Sequence, residues 1–431
     1  MNEQNRVSLH PITRWLVQTK PWIFNLYTGS IALLTYSCMY AFRKPFTAAT
    51  YEGLSFLGTD LKIWFITAQV VGYALSKFFG IKVISEMKHG IRALLIIAIV
   101  GLAEVSLLFF GIVQGPLKIV FMFLNGVPLG MVWGIVFSYL EGRKTTEFLG
   151  AMLCISFIFS SGFVKSVGKW LLLSFNISEY WMPFFTGAIF ILPLLGSLYL
   201  LDKVPEPSVQ DKAQREKRVP MNREERWSLF KKFALPLVML IITYMTLTAF
   251  RDFRDNFSAE MWQYLGYGDS PEIFTLTEIP IAIIVMIVMT TVMFVKNNKR
   301  ALYFNHLIIL AGLLSVGLST VFFDLNLLSE VHWMILIGLG LYLGYVPFNS
   351  IFFDRFIAAF KAKANVGFLI YLADSFGYLA SVFVLFYKNF GHAQMEWIDF
   401  FRFGAYLLCA VGLLLVLFSI LFFRLRFKSI N

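Results

Sequence analysis

Charge is scarce in this sequence. Of 431 residues, 15% are Asp, Glu, Lys or Arg, whereas soluble domains carry about 25%. Cysteine is scarcer still. Cys38, Cys154 and Cys409 each lie in an apolar run, so no disulfide framework is expected and no metal-ligand spacing exists. HExxH, GxSxG and paired-cysteine motifs are missing, and the five histidines form no cluster. Neither an enzyme nor a cofactor or metal is therefore expected. The N-terminal stretch lacks a short apolar core with a small-residue cleavage site, so a cleaved signal peptide is not expected either. The glycine-rich GLGLYLG and LNGVPLG lack the strand-to-helix context and the Lys-Ser/Thr of a nucleotide loop, and read as small-residue helix packing.

What the chain has instead is apolar bulk. It is 58% hydrophobic, with a mean hydropathy of +0.70, above the 45–50% apolar content typical of soluble domains. A membrane-spanning helix needs about 20 mostly apolar residues. Twelve candidates are legible, at 22–43, 61–81, 91–113, 117–140, 148–173, 179–201, 232–251, 273–295, 301–323, 332–353, 365–387 and 402–423. Only helices satisfy their own backbone at these lengths in lipid. The expectation is an all-α integral membrane protein of twelve transmembrane helices in two pseudo-symmetric six-helix bundles.

The net charge of +11 is explained by its location. Arg6, Arg14 and Lys20 precede the first span, and basic residues recur in every second loop: Lys82 and Lys88, Arg143 and Lys144, Lys296 and Lys299, Lys361 and Lys363. This is the positive-inside bias. It places both termini in the cytoplasm of an inner-membrane protein, with the lipid bilayer and not nucleic acid as partner. A monomer is expected. The polar segment DKVPEPSVQDKAQREKRVPMNREERWS reads as a cytoplasmic linker over 202–228. It separates an N-terminal bundle, 1–201, from a C-terminal bundle, 229–431.

The sequence repeats itself. TYSCMYAFR in the first span and TYMTLTAFR in the seventh share Thr, Tyr, Ala, Phe and Arg at equal spacing, from Thr35 to Thr243. A weaker echo joins LGMVWGIVFSYLEGRKTTEFLGA, from Leu129, to LGYVPFNSIFFDRFIAAFKAKANVGFL, from Leu343. Two halves in the same order imply a pseudo-twofold axis along the membrane normal, the major facilitator plan, with a midplane site and halves that rock around it. Tyr36, Tyr40 and Arg43 stand at i, i+4 and i+7, hence on one helix face, and Tyr244, Thr248 and Arg251 repeat the arrangement. Two arginines at twin positions are suited to one oxyanion, because a guanidinium fork matches phosphate or carboxylate.

At these residues the chain resembles the organophosphate:phosphate antiporters, a branch of the major facilitator superfamily. YAFRKPFTAA resembles that family's Tyr-x-x-Arg-Lys-x-Phe, GYALSKFFG its second-span motif, and GMVW its fourth-span Gly-Met-x-Trp. AFRDFRDNFS, TEIPIAI and SFGYLAS resemble segments of its seventh, eighth and eleventh spans. The resemblance implies Arg43 and Arg251 as the phosphate-binding pair and Lys77 as a third cation. It implies Tyr36, Tyr40 and Tyr378 as cavity lining, with Glu278 opposite. There are departures: the family's fifth-span histidine is Phe159 here, the loop between the second and third spans is degraded to ISEMKHGIR, and Asp374 adds an acid.

Each signal has a plainer reading. Arg43 and Lys77 can snorkel to the interface, Arg251 can pair with Asp252 or Asp255, and Glu278 can be a helix-start residue favoured by the dipole. Arg254 reads as an external surface charge, and Glu104 as a partner for a neighbouring helix. An uncompensated Asp374 within a span is costly, so a paired or titrating role is expected. The combined expectation is a secondary transporter of a small organic anion, with phosphorylated compounds favoured and phosphate or a proton as coupling ion. Substrate-binding candidates are Arg43, Arg251, Lys77, Tyr36, Tyr40, Tyr244 and Tyr378; Glu278 and Asp374 are the proton-coupling candidates. The alternatives are a proton-coupled carrier of another organic anion and a transporter-like membrane sensor.

Overall fold

A computed structural model describes residues 10–86, 89–143, 145–208, 211, 223–360, 366–391 and 395–430. Of the basic loop residues, Arg6, Lys88, Lys144, Lys361 and Lys363 lie outside the described residues, as do 209–210 and 212–222 of the linker. The chain divides into two compact units, Met1–Glu216 and Lys217–Asn431. Among the described residues, nine helices are long and apolar enough to cross a membrane. The chain is a multi-pass membrane protein.

The first unit opens with α1 (Pro11–Gln18) and α2 (Pro21–Tyr40), each started by a proline where its missing N–H costs nothing. A 3-10 turn, Pro45–Ala48, leads to a two-stranded hairpin of β1 (Ser55–Phe56) and β2 (Thr59–Asp60). Its central residues Leu57 and Gly58 both have positive φ, 52° and 75°, as a type I′ turn requires. Beyond it come α3 (Leu61–Glu86), α4 (Arg92–Ile112), α5 (Lys118–Leu129), α6 (Val132–Leu140), α7 (Thr146–Phe175) and α8 (Met182–Asp202). The second unit holds α9 (Arg223–Asn256), α10 (Ser258–Tyr264), α11 (Ile273–Met293), α12 (Asn298–Asp324), α13 (Glu330–Ser350), α14 (Phe352–Phe360), α15 (Val366–Phe386) and α16 (Trp397–Ile430).

The internal repeat is visible in the packing. In the first unit α2 packs on α7 and α8, α3 on α5, and α4 on α5 and α8. In the second, α9 packs on α15 and α16, α11 on α13, and α12 on α13 and α16. Each pair in one unit has its sequence counterpart in the other.

Helix ends depart from the sequence expectation in ways that matter for the site. The first span, expected to reach residue 43, ends at Tyr40. The N–H groups of Ala41, Phe42 and Arg43 then bond only three residues back, to Cys38, Met39 and Tyr40, a tightening that turns Arg43 away from the helical register. The seventh span, expected over 232–251, runs from Arg223 to Asn256. It therefore begins inside the segment assigned to the linker and carries Arg251 within the helix. Pro236 has no N–H for the carbonyl of Lys232, and the chain kinks at Phe233, with φ −128° and ψ 21°. The fourth span is broken at Gly130–Met131, two residues beyond Pro128.

Candidate functional site

The first unit gathers its basic residues around one ring. The Arg43 guanidinium carbon lies 3.8 Å from the centroid of Tyr73 on α3. Lys77, one turn further along α3, places Nζ 5.6 Å from the same centroid. Arg43 is only 8% exposed, so the side chain is inside the bundle and does not snorkel. Tyr36 shares a hydrogen bond with Tyr73 and stands close enough to Tyr40 and Arg43 to interact electrostatically. Tyr36 and Tyr40 meet edge to face at 5.5 Å, and Tyr36 meets Phe157 in the same way at 5.7 Å. Lys44, the next residue, is buried too.

The turn that carries Arg43 is fixed from below by two amides. Gln69 Nε2 donates to the Arg43 carbonyl at 2.9 Å and to Asn125 Oδ1 at 2.8 Å. Asn125 Nδ2 donates to the Phe42 carbonyl at 2.9 Å and to the Ala103 carbonyl at 3.1 Å. These contacts exist because α3 and α5 touch backbone to backbone. A Cβ on Gly126 would stand 2.2 Å from the Gln69 carbonyl oxygen, a separation that only glycine permits.

The second unit repeats the arginine-on-tyrosine motif with different neighbours. The Arg251 guanidinium carbon lies 3.8 Å from the centroid of Tyr345 on α13. Its Nη2 also pairs with Asp252 Oδ1 at 2.6 Å, and Asp252 Oδ2 accepts from Ser381 Oγ at 2.8 Å. Tyr342 and Tyr378 are near enough to act on Arg251 electrostatically. Tyr345 stacks on Tyr244 at 5.1 Å. The Tyr244 hydroxyl donates to Asp374 and accepts from Asn349 Nδ2 at 2.9 Å. Arg251, Tyr244, Tyr378 and Asp374 thus belong to one cluster, in which Asp374 accepts from the Tyr244 hydroxyl.

Two expectations change. Arg254, read as an external surface charge, is 5% exposed. Its Nη1 binds Glu278 Oε1 at 2.7 Å, and its Nη2 donates to the Met334 carbonyl at 3.0 Å. Because α9 continues past Arg251, Arg254 stays inside the bundle and reaches α11. Glu278 is therefore half of a buried ion pair and not merely a helix-start residue.

Sequence reasoning missed both platform tyrosines. Tyr73 and Tyr345 occupy different places in the repeat: at the offset of the second echo, the counterpart of Tyr345 is Met131. Matching the halves does not reveal them. A guanidinium over an aromatic face is attracted by the ring and retains N–H donors that suit an oxyanion.

Two solved structures similar to this chain are transporters. One is a D-xylose-proton symporter, with a TM-score of 0.58 and 15% identity, covering 92% of this chain and 97% of the other. Another is a mutant form of the nucleoside transporter NupG, with a TM-score of 0.58 and 12% identity, covering 92% of this chain and 98% of the other. At this identity the likeness establishes the fold, which is of the major facilitator type. No curated protein matches the sequence. The model of a family described as being of unknown function, DUF5690, matches residues 45–426, nearly the whole chain. The chain belongs to that family.

Proposed function

We propose that this protein is a secondary transporter that carries a small organic anion across a membrane by alternating access, with Arg43 and Arg251 as its oxyanion-binding groups. The observation that supports this is the recurrence of one unusual element. Each unit holds an arginine whose guanidinium carbon lies 3.8 Å from the centroid of a tyrosine ring, at twin positions of the internal repeat. An arginine inside a membrane bundle is costly to insert, by about 2.5–3.5 kcal/mol on insertion scales. One in each unit, at twin positions, argues for a ligand-binding role for both.

In this reading the protein has twelve spans in two six-helix bundles, sits in the inner membrane as a monomer, and keeps both termini in the cytoplasm. Lys77 adds positive charge beside Arg43, and Tyr36, Tyr40, Tyr244 and Tyr378 line the path. An anion arriving at Arg251 takes over a donor that Asp252 holds at 2.6 Å. Phosphorylated compounds are favoured over carboxylates by the resemblance to the organophosphate:phosphate antiporters. The xylose and nucleoside carriers among the structural neighbours are compatible with a sugar-containing substrate. A second reading, proton coupling through Asp374 or Glu278, draws on the Tyr244–Asp374 hydrogen bond.

Uptake of labelled inorganic phosphate and sugar phosphates into reconstituted vesicles tests the proposal, with Arg43→Ala and Arg251→Ala in parallel. Exchange against internal phosphate that both variants abolish supports it. Uptake driven by a pH gradient without internal anion favours the second reading. Normal affinity in both variants for every accepted substrate rejects the arginine assignment. Binding without movement identifies a sensor.

A further inference from the structure

One buried acid is unused by the transport site. Glu104 lies mid-way along α4, on the face that also buries Val100, Ala103 and Leu107, while Leu102 and Val105 point outward. It is 9% exposed, and neither carboxyl oxygen has a hydrogen-bond partner among the described residues. It is therefore not the ion-paired bridge between helices that its position implied. Its carboxyl is pressed against the bare backbone of Gly187 on α8, where a Cβ would stand 2.2 Å from Oε2.

The polar groups of the surrounding elements are engaged elsewhere. On α5, Lys118 donates to the Phe110 carbonyl at 2.6 Å and lies over the Tyr180 ring. Phe110 is six residues along α4, about 9 Å from Glu104 at the helical rise. At the opposite end of α4, Arg92 lies over the Tyr139 ring of α6, and the Tyr139 hydroxyl bonds to Asp202 of α8. That end is twelve residues from Glu104, about 18 Å; His89 precedes it. Thr186, beside Gly187, spends its hydroxyl on the Met182 carbonyl. A charged carboxylate with no donor in an apolar interior is among the most costly of buried groups, and the neutral acid is not.

We propose that Glu104 is a proton-binding site, a carboxylic acid that carries its proton inside the first unit. Its placement gives that proton a route of influence. The carbonyl of the preceding residue, Ala103, is bonded by Asn125, which bonds Gln69, which holds the Arg43 carbonyl. Ionisation of Glu104 shifts α4 away from Gly187, and the two amides carry that shift to the turn bearing Arg43. The proton site stands on its own geometry, whereas its coupling to anion movement rests on the proposed transport function.

Dicyclohexylcarbodiimide tests the site. The acid proton moves to one carbodiimide nitrogen and the carboxylate oxygen bonds to the central carbon. The acyl group then migrates to nitrogen, leaving a stable N-acylurea with every atom retained. Protein in lipid vesicles is treated at acidic and alkaline pH and the peptides are analysed by mass spectrometry. The expected result is an adduct on Glu104 that diminishes as pH rises, is not formed by a water-soluble carbodiimide, and is lost in Glu104→Gln. No adduct on wild-type Glu104, or an adduct indifferent to pH, overturns the proposal without any variant having to fold. If Glu104 is labelled but Glu104→Gln retains the full pH dependence of anion uptake, the coupling is overturned and the site stands. Labelling of a protein that moves no anion rejects the transport reading alone.

Discussion

Removing the charge of Glu278 separates a structural role from a functional one. Arg254 is held by one carboxylate at 2.7 Å and one carbonyl at 3.0 Å, and both members of the pair are at least nine-tenths buried. Glu278→Gln preserves shape and one hydrogen bond but removes the charge of the carboxylate bonded to the guanidinium, leaving Asp255 nearby. Breaking one side of a buried pair costs about 3–5 kcal/mol. In a unit of this length, 217–431, each kcal/mol lowers Tm by about 2–4 °C. The expected fall is at least about 6 °C in a thermal melt monitored by tryptophan fluorescence. Arg254→Met should fall similarly, and the double variant should recover part of the loss, with a coupling energy above about 1 kcal/mol. Two single variants that melt within about 1 °C of the parent would falsify the structural reading. If they also stop transport, Glu278 acts as a coupling group and its pairing is incidental.

Other contacts are open to the same kind of test. Tyr73→Leu and Tyr345→Leu each remove the face beneath an arginine. With a cation–π contact worth about 1–2 kcal/mol once desolvated, anion affinity should weaken roughly 5- to 30-fold in a radioligand competition assay, while Tyr180→Leu should leave it unchanged. Tyr244→Phe deprives Asp374 of a donor and Asn349 of an acceptor. It should cost about 1–3 kcal/mol in chemical denaturation, and an unchanged midpoint would show that the hydroxyl is dispensable. Gly126→Leu drives a side chain into the Gln69 carbonyl and should abolish the monodisperse peak in size-exclusion chromatography, because backbone contact leaves nothing flexible to give way.

Long apolar runs with the right length are what lipid demands, so the helices are readable from the sequence. Their ends are not. Nothing in TYSCMYAFR distinguishes a helix that stops at Tyr40 from TYMTLTAFR in a helix that continues to Asn256. The difference lies in the next residues along the chain, Lys-Pro in one case and Asp-Phe-Arg-Asp in the other, since Pro45 has no N–H to continue the helical ladder back to the Ala41 carbonyl. Arg254 reads as external for the same reason: counting it as a loop charge assumes that the helix has ended. Tyr73 and Tyr345 lie in stretches that the motifs and the repeat pick out, but in a chain with 47 Phe and 18 Tyr aromatic identity says little about which ring meets a cation. Gln69 and Asn125 are equally silent, although two amides in apolar spans are the kind of residue that has to find partners.

The different seats of the two arginines give the halves different tolerances to change. Arg251 is aimed by the rotation of a continuous helix, so inserting one residue between Tyr244 and Arg251 swings it by about 100° off its ring. Arg43 sits on a turn whose direction is set by Gln69 and Asn125, on two other helices. Small length changes nearby can be absorbed there, but loss of either amide cannot. The two halves of the repeat thus depend on different things, one on the length of its segment and the other on remote partners. A substitution accepted in one half is no guide to its twin.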